Sequence, residues 1–382
     1  MKNEDFLKDA PGELVLTEQD AMAFVPNDLP PEIDFAKIAL SFAKATGKIG
    51  ELKGACRRLT NPYIFIKPMQ RLEAQTSSAM EGTHTTADKL ALAEAGVKNK
   101  GDDQTAEVSN YISALEDAIE NIKKNPITHR TIKGAHKILL KDVGKTRGED
   151  KQPGQFKRNQ NMIGAKTLEH ARFIPPPPNR TLDCIAKLET FINADRPNEL
   201  ALIDIALVHY QFETIHPFAD GNGRVGRMLI TLMAISRGLL DVPALFVSPA
   251  LEKTKDEYID RMYNVSTRGE WSEWLNFFFS NISSTADQAV KKIDKIISLQ
   301  DHYKRIAAQS STSVNLQMII DMIFESPVIR PKDVVKKIKI TDAAARGLLN
   351  KLCELDILVE YKELYPRVWV ARELIQLSTP DE

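Results

Sequence analysis

The feature that most constrains this chain is a twelve-residue stretch, His216 to Arg227, with the sequence HPFADGNGRVGR. Residues 198–215 before it and residues 224–237 within and after it carry apolar side chains at helical spacing, which predicts a helix on each side. Pro217 disfavours helical geometry at the residue before it, so the first helix is expected to end at or near His216. The stretch is therefore predicted to form a tight loop that leads into a second helix.

The composition of this loop favours binding of an anion. Gly221 and Gly223 let backbone N–H groups converge, and the positive end of the following helix dipole points at the loop. A phosphate is the natural ligand of such a site. Arg224 and Arg227 are spaced so that both can reach phosphate oxygens. Together with a histidine and a carboxylate, these groups can hold a nucleoside triphosphate and move part of it.

Two other phosphate-binding motifs do not explain this part of the sequence. Residues 221–226 fit G-x-G-x-x-G, the dinucleotide fingerprint, but that fingerprint follows a β-strand. Here it follows a long helical run and a proline, which argues against a Rossmann fold. The G-x-x-x-x-G-K-[ST] pattern of a P-loop does not occur in the sequence.

The whole stretch resembles the signature of the Fic family, H-P-F-x-[DE]-G-N-G-R-x-x-R, and agrees with it at every fixed position. The resemblance implies a mainly α fold, in which a helical core carries a short β-hairpin flap. It implies transfer of AMP from ATP to a Ser, Thr or Tyr hydroxyl of a target protein and of the protein itself. Fic relatives that act as kinases carry lysine at the position of Gly223, so AMP transfer is favoured over phosphate transfer.

The resemblance also implies a role for each residue of the site. His216, whose side-chain type has an ordinary pKa near 6.5, is expected to be the catalytic base. Asp220 is expected to hold the Mg²⁺ that accompanies ATP, because hard cations prefer carboxylate and phosphate oxygens. Tyr258 is the candidate for the adenine pocket. The other residues expected to bind ATP are Gly221, Asn222, Gly223, Arg224, Val225, Gly226 and Arg227.

A second motif lies upstream, near the end of a helix predicted over residues 66–82 with Gly82 as its stop. Glu81 falls in the last turn of this helix, where the dipole disfavours an acid by about 0.3–1 kcal/mol. The letters SSAMEG at 77–82 resemble the Fic inhibitory motif, [ST]-x-x-x-E-[GN]. In relatives its glutamate pairs with the second signature arginine, here Arg227. Ser77 and Glu81 are therefore expected to be inhibitory.

The predicted flap lies in residues 144–178, which lack helical periodicity and contain four glycines and a run of four prolines. Within this region, residues 154–164 predict a short β-hairpin or loop. In the Fic family this position is the flap, which aligns the backbone of the target by strand pairing. The expected flap residues are Met162, Ile163 and Gly164, which match the family only in outline.

From about residue 310 the chain is predicted to form a separate module. Three helical runs, at 314–324, 331–338 and 342–355, precede two strands at 358–361 and 367–370. This order resembles a winged helix over residues 310–375. Ten Lys and Arg against eleven Asp and Glu give residues 310–382 a net charge of −1. The basic surface that DNA binding requires is missing, so a protein-contact or dimerisation role is favoured and DNA binding is the alternative.

Residues 1–33 are predicted to form an irregular lead-in, where prolines and glycines recur. The predicted domains are an N-terminal helical region at 1–100, a Fic catalytic core at 101–300 and the winged-helix-like module at 310–375. The remaining helices are predicted at 35–59, 85–96, 106–124, 129–141, 249–263 and 271–297.

Composition limits the location and partners of the protein. The 382 residues carry a net charge of −1, which favours neither nucleic acid nor membrane surfaces. Signal-peptide and membrane-spanning patterns are absent from the sequence. Cys56, Cys184 and Cys353 are far apart and odd in number, which predicts reduced thiols and a cytoplasmic location. The expected partners are ATP and a hydroxyl-bearing target protein, and a homodimer is an open alternative.

Two alternative functions stay open at this point. The same site could remove AMP from a modified target, with Glu81 orienting a water molecule, as the motif does in some relatives. Alternatively, the protein could act as a regulatory adaptor or DNA-binding protein through its C-terminal module, with a vestigial Fic site.

Overall fold

The computed structural model describes residues 1–59, 61–96, 103–143, 152–310, 313–364 and 366–376. These residues are mostly helical, with two small antiparallel sheets, which confirms the predicted mainly α fold class. The helices are α1 (Phe35–Arg58), α2 (Tyr63–Ala79), α3 (Ala87–Glu94), α4 (Asp103–Ile122), α5 (His129–Leu139), α6 (Pro178–Ile192), α7 (Ala201–Ile215), α8 (Asn222–Ser236), α9 (Ser248–Lys253), α10 (Lys255–Arg268), α11 (Trp271–Ser310), α12 (Val314–Glu325), α13 (Pro331–Ile338), α14 (Asp342–Glu354) and α15 (Arg372–Gln376). The strands are β1 (Gly12–Leu16), β2 (Met22–Pro26), β3 (Val328–Ile329), β4 (Val359–Tyr361) and β5 (Val368–Val370).

The chain folds into two compact units, each built from two stretches of sequence. The first comprises Met1–Lys53 and Asn110–Asp287, and the second comprises Gly54–Ser109 and Gln288–Glu382. The predicted boundary between residues 100 and 101 lies outside the described residues. The division into three domains stays a prediction.

In the first unit, a β-hairpin replaces the irregular lead-in that the sequence predicted. Strands β1 and β2 pair antiparallel with Leu14 opposite Phe24. Phe24 is fully buried, and its N–H donates to the carbonyl of Ile174 at 2.9 Å. The recurring prolines led to the prediction of irregular structure, and this was wrong. Pro11 precedes the first strand and Pro26 ends the second, so neither proline interrupts the pairing inside the hairpin.

Helices α7 and α8 carry the loop of interest and are buried over almost their whole surface. In α7 only Glu213 is not fully buried, and in α8 only the last two residues are not. A helix that is apolar on all sides belongs in a protein core. Trp274 of α11 is also buried, and its indole N–H donates to the carbonyl of Ala206 at 3.1 Å. The loop between α7 and α8 is therefore anchored at both ends in packed structure.

The second unit joins α2 and α3 to the last quarter of the chain, which begins at Gln288. Arg71 of α2 donates to the carboxylate of Glu94 at 2.7 Å and to the carbonyl of Glu325, in α12, at 3.3 Å. Its sheet has the strand order β3–β5–β4. One apolar cluster combines side chains from the α3 region with the sheet and α15: Ala91, Ala95, Val328, Val368, Val370 and Ile375.

The C-terminal module has the three helices and two strands that the sequence predicted, in the same order. The structure adds the two-residue strand β3, which pairs with β5 and places Ile329 opposite Trp369. So short a strand has no periodicity to detect. Identification of the module as a winged helix stays a prediction.

Helix α2 ends in a Schellman motif that contains Glu81. Gly82 has the left-handed backbone that favours glycine (φ 82°), and its N–H donates to the carbonyl of Ala79 at 2.9 Å. The N–H of Thr83 donates to the carbonyl of Ser78 at 2.9 Å. These two bonds satisfy the last carbonyls of the helix and confirm the predicted stop.

The described part of the chain contains no helix that is both long enough and apolar enough to cross a membrane. The three cysteines are free thiols.

Candidate active site

His216 immediately follows α7 and has a left-handed backbone (φ 47°, ψ 60°). Its N–H donates to the carbonyl of Phe212 at 3.0 Å. Its ring atom Nδ1 lies 3.2 Å from the carbonyl oxygen of Glu213. Because a carbonyl oxygen only accepts, Nδ1 carries the proton of the neutral ring and Nε2 carries the lone pair. The ring is therefore held in the tautomer in which Nε2 can act as a base.

The loop after His216 is closed by the side chain of Asn222. Its Nδ2 donates to the carbonyl of Phe218 at 2.8 Å, and its Oδ1 accepts from the N–H of Phe218 at 2.8 Å. Gly221, with φ 79°, is the residue before α8. Both ends of the Asn222 amide thus fix the loop. The contacts of Gly221, Asn222 and Gly223 with phosphate stay a prediction.

The two signature arginines lie in the first turns of α8 and are almost fully buried, with exposed fractions of 1% for Arg224 and 2% for Arg227. Their guanidinium groups are always charged, and the N-terminal end of a helix adds positive potential. Val225 lies between them and is buried in the core. The arrangement suits an anionic ligand at the start of α8.

Asp220 is the carboxylate of the loop. Its Oδ1 accepts from the N–H of Gly221 at 2.6 Å and lies 3.6 Å from Nη2 of Arg224. The side chain is 36% exposed. Among the described residues no group of three or more His, Cys, Asp and Glu side chains could hold a metal. A single partly exposed carboxylate suits a Mg²⁺ ion that takes its other ligands from phosphates and water. The role of Asp220 as a metal ligand stays a prediction.

A buried histidine that the sequence did not single out supports the first half of the loop. His136 of α5 accepts from the N–H of Gly154 at Nδ1 (2.8 Å), and its Nε2 donates to the carbonyl of Asp220 at 2.9 Å. Its ring stacks on that of Phe218, with centroids 3.8 Å apart. Burial, assisted by the charge of Arg224, lowers the pKa of His136 to about 4. The ring is therefore neutral and serves as a fixed hydrogen-bonding support.

A second buried histidine, His209 of α7, supports the helix end of the site. Its Nδ1 lies 3.1 Å from the carbonyl of Gly226 and its Nε2 lies 2.9 Å from the hydroxyl of Tyr258. The carbonyl requires a proton on Nδ1, so Nε2 accepts from the tyrosine O–H. Burial and the nearby charge of Arg227 lower the pKa of His209 to about 3. Tyr258 is thereby tied to α8, while its expected contact with adenine stays a prediction.

Two side chains from the predicted hairpin at residues 154–164 hold the backbone on both sides of His216. The buried amine of Lys157 donates to the carbonyl of Ile215 at 3.2 Å. Asn161 donates through Nδ2 to the carbonyls of His216 (2.8 Å) and Phe218 (3.0 Å). Both residues lie in the predicted hairpin, but the sequence did not indicate their contacts with the signature, because these contacts depend on the folded loop.

The expected flap residues form a loop with one antiparallel bridge, between Ile163 and Phe173. The N–H of Ile163 donates to the carbonyl of Phe173 at 2.9 Å, and Gly164 follows with φ 83°. Met162 is half-buried against a small apolar cluster. A cavity of about 340 Å³ lies beside this loop and is lined mainly by residues 155–162 and by Ala219 of the signature. Strand pairing of a target with the flap stays a prediction.

Ser77 is fully buried at the end of α2, and Glu81 is exposed. Both belong to the second compact unit, whereas the signature belongs to the first. Their inhibitory role and the expected pairing of Glu81 with Arg227 stay predictions.

Comparison with known protein families identifies the family of this chain. Residues 126–234 match the Fic/DOC family model, and residues 40–120 match the model of the Fic/DOC family N-terminal region. The chain belongs to the Fic family. The region matched by the Fic/DOC family model, residues 126–234, contains the signature, α5, α7 and most of α8.

Relatives of this Fic chain include proteins named protein adenylyltransferase Fic. The protein of Drosophila melanogaster is 26% identical over 250 residues, covering 64% of this chain and 45% of the relative. That of Drosophila mojavensis is 30% identical over 202 residues, covering 51% of this chain and 36% of the relative. The Fic chain thus spans less than half the length of these two relatives.

Solved structures share the fold of the Fic chain. The crystal structure of a Fic family protein from Desulfovibrio desulfuricans matches 90% of this chain and 98% of its own, with a TM-score of 0.58 and 18% identity. A Fic domain containing signaling protein from Bacteroides thetaiotaomicron matches 67% of this chain and 96% of its own, with a TM-score of 0.50 and 17% identity. At these identities the likeness shows the fold alone.

Proposed function

We propose that this Fic chain is a protein adenylyltransferase, which transfers AMP from ATP to a Ser, Thr or Tyr hydroxyl of a target protein and of itself. The observation that carries the proposal is the geometry of the signature loop. His216 is fixed in the tautomer of a base next to a helix N-terminus that carries two buried arginines. The names of the relatives, protein adenylyltransferase Fic, support the same reaction.

In the proposed reaction the target hydroxyl attacks the α-phosphorus of ATP, and pyrophosphate leaves. Nε2 of His216 takes the proton of the hydroxyl, a step in which a positioned base contributes about 10²–10⁴-fold. Arg224 and Arg227 would contact the β- and γ-phosphates and offset the charge that develops on pyrophosphate. Because His136 and His209 are neutral, they support the loop without adding charge to it.

Mg²⁺ is the proposed cofactor, and Asp220 is the residue that would hold it. Bound there with ATP, the ion would neutralise phosphate charge. The short bond from Gly221 to Oδ1 orients the carboxylate and leaves its second oxygen for a ligand.

Autoinhibition by Glu81 is proposed from the family resemblance alone. In this proposal Glu81 competes with the γ-phosphate of ATP for Arg227, so that ATP binds in a non-productive pose, and Ser77 completes the inhibitory motif. Removal of AMP by the same site, with Glu81 orienting water, is the main alternative. Action through the C-terminal module, as an adaptor or by DNA binding, is the alternative from a different class.

Incubation of the full chain with α-labelled ATP and Mg²⁺ tests the proposal. Label that becomes covalently bound to protein supports AMP transfer, and label from γ-labelled ATP would instead indicate a kinase. Release of AMP from a pre-modified target would support removal. If neither the wild-type chain nor its His216→Ala variant adds label to protein or releases AMP, the result contradicts an enzymatic role.

A further inference from the structure

The backbone at residues 215–218 receives hydrogen bonds from a side chain that the proposed reaction does not use. Lys157 is 5% exposed, and its Nζ lies 2.7 Å from Oδ1 of Asn161 and 3.2 Å from the carbonyl of Ile215. Its own N–H donates to the carbonyl of Pro217 at 2.8 Å. Burial lowers the pKa of this amine to about 7. Both its neutral and its charged forms have the two N–H donors that these contacts need.

Asn161 completes the contact with the same four residues. Because its Oδ1 accepts from Lys157, the amide is oriented with Nδ2 toward the loop, where it donates to the carbonyls of His216 and Phe218. Lys157 therefore fixes the orientation of Asn161, and Asn161 fixes the carbonyls of the residues before and after Pro217. The two side chains act as one group, which we call the Lys157–Asn161 clamp.

The clamp is needed because His216 has a backbone conformation that is uncommon outside glycine. A left-handed histidine persists only where the surrounding structure determines it. That conformation is also what places Nδ1 within reach of the Glu213 carbonyl and thereby sets the tautomer of the ring. If the backbone at His216 relaxes, the tautomer and the direction of Nε2 change with it.

We propose that Lys157 and Asn161 are positioning residues, which hold His216 in its left-handed conformation and so keep Nε2 in the basic tautomer. Asn161 directly precedes Met162, the first expected flap residue, so the clamp also fixes the start of the flap relative to the base. The inference rests on the proposed function insofar as it treats His216 as the base. The conformation and tautomer of His216 can be measured whether or not that function holds.

Two variants of the full chain test the clamp. Asn161→Asp keeps the size and Oδ1 of the side chain but removes both Nδ2 donors, and Lys157→Met keeps most of the apolar stem but removes the amine. We expect kcat for AMP transfer to fall roughly ten- to hundredfold in each, since small displacements of a reacting group cost this much. KM for ATP should stay within about twofold, because the phosphate-binding residues are unchanged.

The second measurement is the ¹⁵N chemical shift of the His216 ring. The wild-type ring should be the Nδ1-protonated tautomer, and both variants should show a mixture of tautomers. Asn159→Asp is the matched control, because Asn159 is exposed, lies two positions before Asn161 and has no hydrogen bond to residues 215–218 in the described structure.

The results separate the clamp from the proposed function. A wild-type kcat in both variants overturns the clamp. An unchanged ring tautomer in both variants also overturns it, because any fall in kcat would then have another cause. If the wild-type chain transfers no AMP, the proposed function fails, and the ring tautomer alone judges the clamp. If Asn161→Asp does not fold, Lys157→Met supplies both measurements.

Discussion

The carboxylate of Glu213 lies directly against the backbone of Gly226. A β-carbon at residue 226 would be 2.1 Å from Oε1 of Glu213, a distance that real β-carbons essentially never show, and 3.0 Å from its Cδ. The signature glycine thus serves close packing between α7 and α8. The carbonyl oxygen of Gly226 lies 3.1 Å from Nδ1 of His209.

Gly226→Ala is expected to lower both stability and activity, because the added methyl displaces a carboxylate held between two buried helices. Overpacking of this kind costs about 1–3 kcal/mol in the free energy of unfolding. Thermal unfolding measures the change. Gly134→Ala is the matched control, since residue 134 is a helical glycine with no atom within 4 Å of an added β-carbon. That change should be neutral or stabilising. Equal effects of the two substitutions would contradict the prediction.

His216→Ala is expected to abolish AMP transfer while the protein still binds ATP, because the expected phosphate contacts come from other residues. The loss should be at least about 10²-fold, the contribution of a positioned base. A fluorescent ATP analogue measures binding, and α-label on protein measures transfer. His216→Asn is a useful companion, because asparagine tolerates the left-handed backbone of this position. Retained transfer in either variant would remove His216 from the mechanism.

Asp220→Ala is expected to remove most of the gain in nucleotide affinity that Mg²⁺ provides, because Asp220 is the carboxylate proposed to hold the ion. A titration of nucleotide binding with and without Mg²⁺ measures this difference. The exposed Asp195, changed to Ala, is the control. An unchanged Mg²⁺ dependence in Asp220→Ala would place the ion elsewhere.

Glu81→Gly is expected to increase AMP transfer, including self-modification, if Glu81 competes with phosphate for Arg227. Charge-assisted bonds of this kind are worth about 1.5–3 kcal/mol, so removal of the competitor should increase productive binding roughly ten- to a hundredfold. Glu81→Gln should have a similar effect and keeps the shape of the helix end. Addition and removal of AMP are measured side by side.

Other outcomes of the Glu81 variants identify the alternatives. If the protein is mainly a remover of AMP, loss of Glu81 should abolish removal, and modified target should accumulate. If Glu81 is only an exposed helix end, neither activity should change. Arg227→Ala should not mimic Glu81→Gly, because it removes the partner of the phosphate as well.

The stability of the chain is expected to fall as the pH falls below about 6.5, because His136 and His209 have folded-state pKa values of about 4 and about 3. Between those values and 6.5 the unfolded chain binds protons that the folded chain does not. Each imidazole then reduces the free energy of unfolding by up to about 1.4 kcal/mol per pH unit. The measurement is the urea midpoint at about pH 7 and about pH 5. His209→Gln should flatten this dependence, whereas the same change at the exposed His170 should not.

Much of the fold and the signature site could be predicted from local patterns in the sequence. The end of α7 follows from Pro217, and the start of α8 lies at the glycines around Asn222. The end of α2 follows from Gly82. In contrast, α6 was missed because it follows a run of prolines, although proline is well suited to the first position of a helix and Pro178 occupies it.

The supporting residues of the site could not be predicted, because their contacts join distant parts of the chain. His136 contacts a carbonyl 84 residues away, and Lys157 contacts one 58 residues away. Neither has a neighbouring motif that would mark it. A buried polar residue needs a hydrogen-bonding partner, but only the folded structure shows which one it has.

The composition of the second unit has a consequence for how the chain is synthesised. Helix α2, which carries Ser77 and leads to Glu81, packs with α12 and contacts its Glu325 through Arg71. A ribosome makes the N-terminal part first, and domains generally fold as they emerge. Every residue of the first unit has therefore been translated, up to Asp287, before α12, one of the partners of α2, exists. On a nascent chain, the helix that leads to the expected inhibitory glutamate gains its contacts with α12 only after synthesis has reached the last quarter of the protein.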